Sequence, residues 1–401
     1  MSTAWELLDL VARWIHVIAG IMWVGNSLLF NWMDRSLLKT PEPGQTQKPV
    51  GTIWPLHSGG FYYVEKTLLE GEKMPDRVHW FMWQAYTTWI SGALLLIIVY
   101  YAGGRALLAD PSVVSLTHLQ AVMVGVGSIL VGIVVYDIAQ NKIAPKAPGI
   151  AVVIWLTALV GISIALTQLL SGRAAFLHVG AMLGSIMASN VGSTIVPSQK
   201  ALVASVTGGG TGSQALSDRA KRVSIHNNYF TFPVIVLMLS SHFPAVYGHR
   251  WNWLLLLVLA AGGAGSRHVL NIRWTYSAWK PALAGVFAVT VIALLGILSV
   301  KHPAAELVNT MGPASFEEVR HVIDQRCAVC HSSRPTDVSF GQLPGNVMFD
   351  TPQQIMTHAQ RIRERAVVSR TMPPGNKTAI TESERALLGR WVNAGATVDQ
   401  E

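Results

Sequence analysis

The sequence predicts an all-α membrane protein, an eight-span transmembrane helical bundle followed by a small helical domain outside the bilayer. Three observations lead there. Hydrophobic residues make up 51% of the 401 residues and charged residues only 13%, a balance that suits a membrane protein with a soluble appendage. The apolar residues gather into eight runs, each long enough to cross roughly 30 Å of hydrocarbon. After residue 300 the pattern changes to charged, helix-length segments with cap signals. The net charge of +8 is no nucleic-acid footprint, because 11 of the 30 Lys and Arg follow residue 300 and most of the others sit in loops between apolar runs.

In chain order the runs lie near 8–31, 79–101, 114–138, 150–170, 174–197, 226–242, 251–270 and 279–300. The first lacks a basic leader and a small-residue cleavage site, so it reads as a retained helix. The sixth is short and carries Pro233. The Pro-rich stretch 41–49 and the Gly-rich run 207–213 read as cytoplasmic loops. The second is no phosphate loop, since it lacks a Gly-Lys-Thr ending and a preceding strand. Four spans per half read as a weak parallel repeat: Trp14-Ile-His16-Val-Ile-Ala resembles Phe176-Leu-His178-Val-Gly-Ala, and each is followed by an asparagine, Asn26 and Asn190.

The residues after 300 carry the clearest chemistry. Cys327-Ala-Val-Cys330-His331 holds both cysteines of the chain. C-x-x-C-H attaches a c-type haem: two thiols add to the porphyrin vinyl groups, and the next imidazole, His331, reaches the iron as proximal ligand. Half a zinc site completed by His321 and His358 is the bland alternative. It loses to Thr371-Met372-Pro373-Pro374-Gly375, which places a methionine in a proline-fixed loop as the distal ligand. Met348 and Met356 compete without such a frame. Thr381 and Glu384 form a capping box before a last helix. Residues 315–401 thus read as a class I-like cytochrome c domain, joined by a linker, 301–314, to a membrane domain of residues 1–300.

Haem c is attached outside the bacterial cytoplasmic membrane, so the C-terminal domain is expected in the periplasm, and an even span count puts the N-terminus there too. Loop charge agrees independently. The loops predicted cytoplasmic hold fifteen Lys and Arg, and the three predicted periplasmic loops hold only Arg105, Arg173 and Arg250.

Ionisable residues within spans are functional candidates by default. His16, His118, His178 and His242 fall in the periplasmic half. His79, His226 and His268 fall near the cytoplasmic ends, close to Arg77, Arg222 and Arg267. One reading makes His16 and His178, at similar depth in matching spans, ligands of a b-type haem. The other makes each histidine hydrogen-bonded glue between helices.

The segments His57-Ser-Gly-Gly-Phe61-Tyr62, Pro75-Asp-Arg-Val-His79-Trp80-Phe81-Met-Trp83, His226-Asn-Asn-Tyr229-Phe-Thr-Phe-Pro233 and Met372-Pro-Pro-Gly-Asn376 together resemble the bacterial membrane-bound urate oxidases that carry a fused cytochrome c. Ser58 stands where a third glycine is expected. The resemblance implies oxidation of urate to 5-hydroxyisourate, with electrons passing to the fused haem and on to a downstream cytochrome c or terminal oxidase, and no hydrogen peroxide formed. Urate is chiefly a monoanion at neutral pH. It needs a cationic or amide cradle and a base, for which His79 and His226 with Arg77 or Arg222 are the candidates. The rival reading, from another class, is a membrane-anchored cytochrome c that only carries electrons.

Overall fold

The computed structural model describes residues 3–37, 51–67, 75–103, 105–210, 213–300, 314–338 and 344–398. The expected loop at 41–49 and nearly all of the 301–314 linker lie outside them. Helix α1 covers Thr3–Ser36 and α2 covers Met82–Leu96, continued by a π-turn to Tyr101. A short α3, Arg105–Leu108, leads to α4, His118–Ile138, which opens on a capping box between Thr117 and Gln120. Pro148 starts α5, Pro148–Leu169, at a position where its missing N–H costs nothing. The Ser171 hydroxyl caps α6, Gly172–Asn190, which runs through a π-turn into α7, Val196–Thr207. Helices α8, Gln214–Leu239, α9, Pro244–Tyr247, α10, Asn252–Ile272, and α11, Trp279–Leu298, complete the bundle.

Among the described residues, seven helices are long and apolar enough to cross a membrane. The expected sixth span falls in α8, whose first half is too charged to count by composition. Helix α8 packs along α6 and α10, with Leu237 and Met238 near its end against Gly180 of α6, and Phe232 and Pro233 against Gly263 of α10. The combined helix α6–α7 continues ten residues past the expected end at 197.

Helix α6 forms the centre of the bundle, with Ala174, Ala175, Phe176, Val179, Met182 and Leu183 all buried. It lies close against α4 because α4 offers glycines there. A Cβ at Gly125 would collide with the His178 ring, and one at Gly132 with the Met182 side chain. The outward faces of α1 and α11 stay apolar and exposed, as lipid contact requires.

One expectation is corrected. The chain is not wholly α: residues 51–66 form a nested hairpin in which Gly51–Ile53 (β1) pairs with Val64–Lys66 (β4), and Leu56–His57 (β2) with Gly60–Phe61 (β3). The cause is local. Ser58 and Gly59 both have positive φ, 51° and 76°, the backbone that a two-residue hairpin turn demands. The same φ explains why glycine was expected at Ser58. Of the expected 4+4 repeat, α1 on α2 and α4 on α5 correspond to α6 on α8 and α10 on α11, whereas α8 packs along α10 and the corresponding α2 and α4 barely touch.

In the C-terminal domain, α12, Phe316–Arg326, α13, Pro352–Thr357, α14, Ala359–Ile362, and α15, Glu382–Asn393, pack around Val319, Ile323, Ile355, Leu388 and Trp391. Thr381 and Glu384 make the expected capping box. This domain sits on one end of the bundle. The turn Pro374–Asn376 packs on α3, Gly248 leaves no room for a Cβ under the Ser369 carbonyl, and Asp110 draws Arg370 and Arg385 electrostatically. That end carries the three connections whose loops hold few basic residues.

Candidate functional site

Two polar centres stand out, one in each domain. In the C-terminal domain, α12 ends at Cys327, and a tight turn follows in which the Cys330 and His331 N–H groups both donate to the Cys327 carbonyl. The turn sets both thiols and the imidazole on the wall of a cavity of about 1050 Å³, open mouth included. Met372 lines the same cavity. His331 Nδ1 donates to the Val347 carbonyl at 3.1 Å, which fixes the tautomer and leaves Nε2 with its lone pair free. Burial pushes the Cys327 thiol up to about 12 and the His331 imidazole down, although the carbonyl bond opposes the latter. Arg326, Arg361, Arg365 and Lys377 contribute cations to the lining.

The Met372 loop is held by a residue that the sequence does not flag. Arg385, on α15, is only 1% exposed; it donates to the carbonyls of Ala366 and Met372 and, at 3.3 Å, to Asn376 Oδ1. Met356 packs against the domain core instead.

The second centre lies in the bundle. Asn190 Nδ2 donates to the Tyr136 oxygen at 3.1 Å and to Asn227 Oδ1 at 2.8 Å. The Tyr136 oxygen also shares a hydrogen bond with His226 Nδ1, 2.8 Å away. On the next stretch of surface round α8, Asn228 Oδ1 accepts from Arg267 Nε at 2.9 Å and from Asn271 Nδ2 at 2.8 Å. Tyr229 and His268 are bonded beside them at 2.7 Å.

Of the four expected catalytic residues the structure brings two near each other. Arg222 precedes His226 by one helical turn and is exposed, while Arg77 and His79 lie on the exposed segment before α2, with no hydrogen bond or ion pair among the described residues. Arg267, expected among loop charges, is instead buried within α10. The available signal was its position three residues inside the predicted end of the seventh span. Tyr136 and Asn271 gave no signal, since one tyrosine or asparagine near a span end is ordinary.

His16 and His178 are not brought together. His16 Nδ1 bonds the Thr88 carbonyl at 2.9 Å and its ring lies against Gly92, while His178 bonds Tyr101, nine residues beyond Gly92 and about 14 Å further along the same helix by rise per residue. Both ring nitrogens of His178 are taken, Nδ1 by the Ala174 carbonyl and Nε2 by the Tyr101 hydroxyl. This pair does not fit a b-type haem. His118 bonds the Tyr101 carbonyl at 2.7 Å.

Comparison with known proteins adds one finding. The family described as Urate oxidase N-terminal matches residues 2–299. No curated protein and no solved structure matches the chain.

Proposed function

The chain belongs to the Urate oxidase N-terminal family, and from that premise we propose that it is an integral membrane urate oxidase whose C-terminal domain is a cytochrome c. Written for the neutral acid, urate and water give 5-hydroxyisourate, two protons and two electrons. Haem c, held by Cys327, Cys330, His331 and Met372, would supply a one-electron acceptor used twice, so the balance needs no dioxygen and yields no peroxide.

The observation that carries the electron-exit half of this reading is the cavity that gathers Cys327, Cys330, His331 and Met372. Cys327 and Cys330 would hold the porphyrin covalently, His331 Nε2 and the Met372 thioether would face the iron, and the cations of the lining suit two propionates. Arg385 holds the Met372 loop in place. In the bundle, Tyr136 and His226, held by Asn190 and Asn227 with Arg222 one turn away, form a hydrogen-bonded relay able to carry a released proton away from the substrate site.

The C-terminal domain caps the end of the bundle with few basic loop residues, in keeping with a periplasmic cytochrome on an inner-membrane protein that has eight spans and both termini outside. Electrons then leave to a downstream cytochrome c or a terminal oxidase, and membrane lipid covers the apolar belt. In detergent-purified, air-oxidised protein, anaerobic urate is expected to reduce the haem and to appear as 5-hydroxyisourate at one equivalent per two electrons. A haem that ascorbate reduces and urate does not would leave only the electron-carrier reading.

A further inference from the structure

Arg267 is buried with nothing to neutralise it. It is 2% exposed, and no carboxylate among the described residues lies within ion-pair distance. Arg35 and Arg273 add like charge nearby. A buried cation in that position is stable only with hydrogen bonds and a counter-charge, and the fold supplies the first without the second.

Its hydrogen bonds leave a patterned remainder. Asn228 Oδ1 accepts from both Arg267 and Asn271, which fixes the orientation of both amides, because flipping either would set donor against donor or acceptor against acceptor. Three buried atoms of these same residues then have no partner: Arg267 Nη2 and Asn228 Nδ2, both donors, and Asn271 Oδ1, an acceptor. Native proteins rarely leave one such atom unpaired. Three on one bonded triad point to a ligand. The ring of Phe232, 5.5 Å from the guanidinium carbon, lies against Arg267 and helps to hold it in place.

We infer that Arg267, Asn228 and Asn271 form the cradle for a planar purine-type monoanion. Positive charge calls for an anion, and the two free donors call for ring carbonyls or a deprotonated ring nitrogen. The free acceptor calls for an N–H on the ligand, which excludes chloride and other purely accepting ions. A urate monoanion offers all three. This inference rests on the urate oxidase reading and names its substrate site. It also separates that site from His226, because residues 226 and 228 project from nearly opposite sides of α8.

The test is equilibrium dialysis of urate against the full-length holoprotein, kept reduced with dithionite so that no acceptor is available and urate is bound without turnover. Asn271→Asp is the informative variant: it is nearly isosteric, sets a carboxylate in place of the Asn271 donor and acceptor, and neutralises Arg267 from within the protein. It is expected to weaken urate binding by about 30-fold or more, as is Arg267→Gln, with the haem spectrum unchanged. His226→Ala is expected to bind urate within about threefold of wild type. Wild-type affinity in Asn271→Asp, or a loss confined to His226→Ala, overturns the cradle alone. Wild-type protein that binds no urate overturns the urate reading together with it.

Discussion

Replacing Arg385 by methionine tests how the Met372 wall of the C-terminal cavity, the proposed haem site, is held. The methionine matches much of the arginine stem but donates nothing, so three acceptors lose their partner: the Ala366 and Met372 carbonyls and Asn376 Oδ1. A stranded buried acceptor costs roughly 1–3 kcal/mol. Two of the three belong to half-buried residues and regain some water, and losing an unpaired Nε returns part of the loss, so the net expectation is about 2–4 kcal/mol. Burial, with Arg370 nearby, lowers the guanidinium to about 10, which leaves it charged at neutral pH and its bonds charge-assisted. Urea unfolding of the full-length protein, followed by haem absorbance, reads the stability. The absorption band of ferric iron bound by a thioether reads the position of Met372. Arg385→Met is expected to weaken both, and Arg385→Lys to recover part of each. A variant within about 0.5 kcal/mol of wild type, with the thioether band intact, would refute the clamp.

Three further outcomes follow from the same structure. Met372→Ala is expected to keep the covalent haem but lower its potential, because a thioether favours ferrous iron; an unchanged potential in a spectroelectrochemical titration removes Met372 as ligand. A membrane-impermeant maleimide is expected to label Ser112→Cys but not Gly208→Cys in intact cells, with both native cysteines occupied by haem, and the reverse pattern inverts the orientation. Acid should loosen α15. Burial raises the Glu384 carboxyl, but bonds from Thr381 and Arg326 outweigh it and hold it below its usual 4.5. Its stabilisation is therefore present above 4.5 and is lost as pH falls through the folded value. Glu384→Gln is expected to flatten the acid limb of thermal stability measured against pH, and an unaltered limb denies the linkage.

The sequence made legible whatever depends on local pattern. Hydropathy alone placed seven helices, and the capping box at Thr381 and the turn at Cys327–His331 are encoded by neighbours in the chain. It failed where partners are distant. Arg267 reads as one more positive loop residue until α10 turns it onto Asn228 of α8, thirty-nine positions away. Arg385 reads as a surface charge on a last helix until the chain between α14 and α15 folds its carbonyls over it. His16 and His178 show the opposite error: a matching local pattern suggested a shared centre, and the packing gave each a different neighbour. Ser58 lies between, because its turn is local but needs a positive φ that serine does not announce.

Electron exit supplies the last test. Arg267 lies fifteen residues along α10 from Asn252, about 22 Å by helical rise, and Asn252 belongs to the end of the bundle where the C-terminal domain docks, its side chain bonded to the Tyr247 carbonyl. Tunnelling rates fall exponentially with distance, and a gap of that length filled with aliphatic side chains is too slow for turnover. Aromatic and imidazole groups lower the tunnelling barrier. The bundle places such groups at both ends of the gap: Tyr136, Trp155 and Phe230 in ring contact near the polar network, and Tyr101 with His178 beneath the docked domain, next to α3. The Tyr101–His178 bond lies at the end of the bundle that faces the docked domain. Its removal is expected to matter only for electrons that start in the bundle. Tyr101→Leu and His178→Leu should therefore slow haem reduction by urate at least about tenfold, equivalent to about 1.4 kcal/mol in the barrier. Ascorbate, which reaches the exposed domain directly, should reduce the same variants at the wild-type rate. Equal slowing with both donors, or none with either, would return Tyr101 and His178 to helix packing and leave the crossing to another route.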